Sequence, residues 1–203
     1  MFNAPDHAHC RSGIGKSRIL FEFGKWLDTL EQPLLLFKGR AAQETSNIPY
    51  SLLRGILSSS FQIQENDRST LARHKLERGI RTWTADKENT ELYAHFIGHL
   101  IGLDYSSSPH LKGILGDARQ VHDRAFHYAA QLVAEIARQR TVVIFLEDIH
   151  WADAGSLDFF EYLMEKHLDL PLLIIGLTRP SLFEQRPNWG TGTVQHLSLN
   201  LLP

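Results

Sequence analysis

Two short stretches hold residues able to do chemistry together. Ser12-Gly13-Ile14-Gly15-Lys16-Ser17 joins two glycines to a lysine and a hydroxyl. Val142-Val143-Ile144-Phe145-Leu146 is an apolar run that ends on two adjacent carboxylates, Glu147 and Asp148. Glycine lets a backbone approach an anion closely and present its N–H groups, in places at positive φ. Lys16 adds a point charge suited to the β/γ oxygens of a nucleotide, and the Ser17 hydroxyl can enter the shell of Mg²⁺. A helix starting at Lys16 adds its positive N-terminal end. Carboxylates at the end of a buried strand are costly to desolvate unless a cation or donor meets them. Glu147 can hold Mg²⁺ directly or through water, and Asp148 can orient an attacking water, with the reverse assignment open. In this order along the chain, the stretches read as two halves of a Mg-nucleotide site.

Such a site needs elements that bring its halves together. After Lys16, apolar residues at Ile19, Leu20, Phe23, Trp26, Leu27 and Leu30 follow helical spacing and predict one buried stripe. Pro33 stops that helix. Leu34–Phe37 is a continuous apolar run, as expected of a strand covered on both faces. Residues 41 to 115 read instead as several helices separated by polar breaks at Gln62–Arg68 and Ser106–Pro109, a helical insertion between strands two and three. A long helix follows, with Val121, Ala125, Tyr128, Leu132 and Ile136 on one face. Thr141–Leu146 and Leu172–Leu177 read as further strands, with Val194–Leu199 as a fifth and Asp153 as the N-cap of the helix between the first two. Strands alternating with helices imply a parallel α/β sheet with ligands at the carboxyl ends of its strands.

Composition excludes several classes. With 203 residues and a 43% hydrophobic fraction, the chain can bury a full core. Lys and Arg number 21 against 23 Asp and Glu, a net charge of −2 that offers no general pull toward nucleic acid or anionic membrane. Cys10 is the only cysteine, so no intrachain disulfide is possible and a reducing cytoplasm is the expected home. The apolar runs are too short to span a bilayer, and Met1–His9 lacks the apolar stretch of a signal peptide.

The string Phe145-Leu146-Glu147-Asp148-Ile149-His150-Trp151-Ala152-Asp153 resembles the Walker B region of AAA-like, signal-transduction (STAND-type) P-loop ATPases. Ser12–Ser17 is similar to their phosphate loop, and Leu177-Thr178-Arg179-Pro180 to the end of their fourth strand, where a Thr-Arg pair senses the γ-phosphate. The resemblance runs from about Ser12 to Pro203. It implies a P-loop NTPase three-layer sandwich over residues 12–203, with ATP and Mg²⁺ as ligands and Arg179 among the nucleotide-binding residues. Such domains occur beside class III nucleotide-cyclase, kinase or LuxR-type domains in large bacterial regulators. The resemblance therefore implies a nucleotide partner, effector domains in a parent protein and no direct nucleic-acid contact from this segment.

Two departures shape the expectations. Cys10 stands where the phosphate-loop pattern has its first glycine; a side chain held there in a strained conformation costs on the order of 1–3 kcal/mol. Met1–His9, an atypical segment within residues 1–11, holds Pro5, Asp6 and two histidines where an apolar central strand is expected between strands three and four. The first strand is accordingly expected to be absent or frayed and ATP binding weak, and the chain looks like a piece of a larger regulator. Three function classes follow: an ATP-binding switch with slow hydrolysis, an interaction module whose nucleotide site is dead, and a DNA-loading ATPase. The third calls for a basic face that the sequence does not display. His95 and His99 have metal-clamping spacing, but without a third ligand they read as a packing or surface pair. His150 and Trp151 suit nucleotide contact or turn packing equally, and Arg40 reads as surface.

Overall fold

The computed structural model describes residues 6–9, 16–84, 86–166, 169–192 and 195–198. The chain divides into two compact units, Met1–Leu52 with Arg140–Pro203, and Leu53–Gln139.

The first unit is built on a five-stranded sheet of β1 (Asp6–His9), β2 (Leu34–Arg40), β3 (Thr141–Glu147), β4 (Leu172–Thr178) and β5 (Gln195–Ser198), in the order β2-β3-β4-β1-β5. Every pairing is parallel. The continuous apolar sequence of β3 has the expected cause: each residue from Val142 to Leu146 is buried, so both faces are covered. β2 lies at the edge beside β3, in register from Leu34 opposite Thr141 to Arg40 opposite Glu147. Helix α1 (Lys16–Leu27) lays Leu20, Leu27 and the partly buried Phe23 against Val143, Phe145 and Leu177, with the Phe23 and Phe145 rings 5.8 Å apart. Burying a side chain of that size contributes about 1.5–3 kcal/mol.

Two expectations need correction. The buried stripe of α1 is narrower than the apolar spacing suggests: Ile19 and Trp26 are 43% and 52% exposed, and Leu30, beyond the helix, is exposed as well. Residues 19 and 26 share a helical face about 100° away from the one holding 20 and 27, so both faces cannot meet a flat sheet. The first strand, in turn, is present. β1 pairs with β4 from Asp6 opposite Ile175 to His9 opposite Thr178, and with β5 from Asp6 opposite Gln195 to His9 opposite Ser198. It is central, but its neighbours are strands four and five, not three and four. Ladder pairing is made by backbone groups, so a polar segment can serve where both neighbours need partners.

The second unit is helical. After α2 (Ser51–Ser60), which begins in the first unit, come α3 (Ser69–Trp83), α4 (Thr90–Leu100), the short α5 (Pro109–Lys112) and α6 (Ala118–Gln139). Between β2 and β3 the described residues form no strand. Leu76, Ile80, Phe96, Ile97, Leu111 and Ile136 are among its fully buried side chains. The Glu135 carboxylate accepts hydrogen bonds from the Tyr93 hydroxyl at 2.7 Å and from the Thr84 hydroxyl, tying α6 to α4 and to the end of α3. Burial, followed by this carboxylate, pushes the Tyr93 phenol up. Among the described residues, no helix is long and apolar enough to cross a membrane.

Candidate functional site

All five strands run the same way, so their carboxyl ends share one edge of the sheet. Arg40, Glu147, Thr178 and His9 are the last residues of β2, β3, β4 and β1. In register, Arg40 lies opposite Glu147 and His9 opposite Thr178. Asp148 and Arg179 are the next residues beyond that edge. The chain leaving β1 next enters a helix at Lys16, whose first turn holds no acidic residue. Ser12, Gly13, Ile14 and Gly15 lie outside the described residues, as do Cys10 and the side chains of Lys16 and Ser17.

The acidic pair is held firmly. The Ala41 N–H donates to the Glu147 carbonyl at 2.9 Å, continuing the β2–β3 ladder past the strand end. Asp148 sits in the left-handed region at φ 54° and ψ 36°, which Asp tolerates better than most residues. That conformation turns the chain sharply into a 3₁₀ turn, Ile149–Trp151, capped by Trp151 N–H on the Asp148 carbonyl at 2.9 Å. The Arg40 Nε donates to Asp148 Oδ2 at 3.1 Å. Arg40 is thus more than surface: although largely exposed, it balances one of the two carboxylates. No local pattern links residues so distant in sequence; only their strand-end positions do.

Asp153 is an N-cap, as expected, and more. Its buried carboxylate accepts Ser156 N–H at 2.9 Å and the Ser156 hydroxyl at 2.7 Å, at the start of α7 (Ala154–Lys166). It also accepts Tyr50 N–H at 2.7 Å, the Ser51 hydroxyl at 3.2 Å and Leu52 N–H at 3.3 Å, where α2 begins. One carboxylate therefore caps two helices and fixes the segment leaving the acidic pair. Burial and then the nearby Asp153 and Asp158 carboxylates push the Tyr50 phenol up. His150 is buried, with its ring 5.1 Å from that of Trp151, so this pair packs the turn. After β4, α8 (Ser181–Gln185) leads to Trp189, whose indole N–H donates to the Leu157 carbonyl at 3.2 Å and closes this segment onto α7.

A Mg-nucleotide fits these residues on one observation in particular. The Arg179 Nε is buried and has no hydrogen-bond partner among the described residues. A buried guanidinium donor without an acceptor is costly, and an anionic oxygen at the strand edge would satisfy it. The adjacent carboxylates are the hard oxygen ligands that Mg²⁺ takes.

Residues 9–175 match the model of a family described as an AAA ATPase domain. The matched span takes in the glycine-rich stretch, the acidic pair and most of β4, and ends ahead of Thr178 and Arg179. No curated protein matches the chain.

Proposed function

The chain belongs to the AAA ATPase domain family, and we propose that it is a Mg-ATP-dependent switch of a signalling protein, hydrolysing its nucleotide slowly. The observation that carries this reading is the shared strand edge: Glu147 ends β3, Asp148 and Arg179 directly follow β3 and β4, and β1, the strand ahead of the glycine-rich stretch, ends at the same edge.

In this reading the backbone N–H groups of Ser12–Gly15 and the start of α1 surround the phosphates, and the Lys16 ammonium meets the β/γ oxygens. Bound Mg²⁺ neutralises phosphate charge and fixes oxygen geometry. Ser17 and Glu147 would be its protein ligands. Asp148 accepts a proton-side hydrogen bond from the attacking water, and Arg40 holds that carboxylate in place. Arg179 donates to the γ-phosphate, so its buried Nε is satisfied only in the triphosphate state. An arginine that distinguishes triphosphate from diphosphate gives the domain two states, as a switch requires. The resemblance of Phe145–Asp153 to signal-transduction ATPases supports placing that switch in a regulator.

The test is calorimetric titration of Mg-ATP into the wild-type chain and into Lys16→Ala. The expected result is saturable binding by the wild type and loss of most affinity in the variant, whose triphosphate lacks its main counter-charge. Equal affinity of the two proteins would remove Lys16 from the site. No binding by a folded wild type would favour the interaction-module reading.

A further inference from the structure

The helical unit holds a group of metal-ligating side chains that nucleotide chemistry does not use. Glu91 and His95 are one turn apart on α4, with His95 Nε2 3.7 Å from Glu91 Oε1. His110, on α5, returns to the same place, its ring 5.3 Å from that of His95. Each of the three offers one ligand atom, and these atoms all lie within 4.8 Å of one another. We propose that Glu91, His95 and His110 form a site for a divalent transition-metal ion of the zinc type, which clamps α5 onto α4.

The donor set suits that ion. Two borderline imidazoles and a carboxylate are a ligand set that zinc takes in tetrahedral sites, leaving a fourth position for water. Zinc bonds of about 2.1 Å place tetrahedral ligands roughly 3.4 Å apart. The His95–Glu91 separation is already close to that. Glu91 is exposed and His110 half-buried, so both side chains can turn to close the remaining distance.

The surroundings of His95 prepare it as a ligand. Its Nδ1 lies 2.7 Å from the Ser108 hydroxyl oxygen, which also accepts the His110 N–H at 3.1 Å. A serine oxygen has two lone pairs. With one taken by His110, the other can take an Nδ1–H, which leaves the Nε2 lone pair facing Glu91. An imidazole lone pair beside a carboxylate is acceptor against acceptor, an arrangement that a cation relieves. Ser108 is thereby the outer partner that metal-binding histidines characteristically have. His95 is 8% exposed and its ring packs at a tilt against that of Tyr105, with centroids 4.6 Å apart. The alternative tautomer, with Nε2–H on Glu91, is an ordinary helix pair that binds no metal.

The test is calorimetric titration of Zn²⁺ into the full chain, with parallel thermal melts and the visible absorption of a Co²⁺-loaded sample. The expected result is one tight site, a rise in melting temperature with Zn²⁺ and a tetrahedral Co²⁺ spectrum. His110→Ala should weaken Zn²⁺ by about 100-fold or more and abolish both signals. Glu91→Gln, at an exposed position that does not threaten folding, should weaken it by at least ten-fold. Ser108→Ala, which keeps all three ligands, should weaken it by roughly 10–100-fold. His99→Ala, on the same helix but outside the cluster, should bind as the wild type does. No tight site in the wild type would overturn the proposal. So would affinity that is unchanged in both His110→Ala and Glu91→Gln, because the ion would then sit on other histidines.

Discussion

The Arg40 guanidinium meets the Asp148 carboxylate at 3.1 Å across the carboxyl edge of β2 and β3. The Arg40 side chain is 73% exposed and that of Asp148 26%, so the pair stands in a screened environment. Exposed pairs of this kind contribute about 0–1 kcal/mol to stability. Its consequence is positional: it sets the carboxylate that the proposed mechanism uses to orient water. Arg40→Ala is therefore expected to leave the urea midpoint nearly unchanged and to lower the ATP turnover number several-fold, with little change in Mg-ATP affinity. Measuring both on one preparation separates the cases. Loss of affinity equal to the loss of turnover would place Arg40 on the nucleotide instead of on Asp148.

Asp153 should be among the most sensitive positions in the first unit. Five donors converge on its buried carboxylate, from Tyr50, Ser51, Leu52 and Ser156. Asp153→Ala removes an N-cap and leaves buried N–H groups without an acceptor, a loss expected to total about 2–4 kcal/mol. Asp153→Asn keeps one acceptor oxygen and should lose less. Denaturant unfolding of the two variants would show this order, and an alanine variant as stable as the wild type would rule the argument out.

These two carboxylates mark how far the sequence could be read. The alternation of strand and helix, the buried character of β3 and the N-cap at Asp153 all depend on local pattern, and the structure carries each of them. The ion pair of Arg40 with Asp148 and the reach of Asp153 to residues 50–52 depend on parallel register, which no local pattern encodes. The same limit explains the metal-ligand reading at α4. His95 and His99 have suitable spacing, yet the partners of His95 are Glu91, one turn the other way, and His110, delivered by the following turn. Apolar content also misled at both ends of the phosphate stretch. It overstated the buried face of α1 and understated β1, whose pairing is a backbone property.

Acid sensitivity should have an identifiable source in the second unit. The Lys75 ammonium donates to Asp67 Oδ2 at 2.6 Å, and the Gln64 N–H donates to the same oxygen at 2.8 Å. The hydrogen bond from Lys75, followed by that from Gln64, holds the Asp67 carboxyl below its ordinary value of 3.8. A carboxyl whose folded pKa is depressed binds fewer protons than in the unfolded chain. Its stabilisation is therefore full above 3.8 and is lost as pH falls through the lower folded value. Asp67→Asn should be less stable than the wild type near neutrality, with the gap closing as the solution is acidified below that point. Urea titrations across a pH series would measure the gap. A difference that stays constant down to the acid transition would mean that titration of Asp67 does not contribute.

The strand that composition argued against offers the sharpest test of the fold. In β1, Ala8 lies opposite Leu177 of β4 on one side and Leu197 of β5 on the other. A proline at a position flanked on both sides removes a ladder donor and places a ring where a neighbouring strand runs. Ala8→Pro is expected to cost at least about 2 kcal/mol, since a lost ladder bond leaves a buried acceptor unpaired on an adjacent strand. Its effect should extend to function. His9 lies opposite Thr178, so β1 sets where the glycine-rich stretch departs relative to Arg179. Mg-ATP affinity should therefore fall together with stability, and amide exchange should rise in β4 and β5 more than in β2. Ala8→Val, which keeps the N–H and favours extended backbone, is expected to preserve both properties. If Ala8→Pro unfolded and bound Mg-ATP like the wild type, β1 would not be the strand that anchors the phosphate stretch.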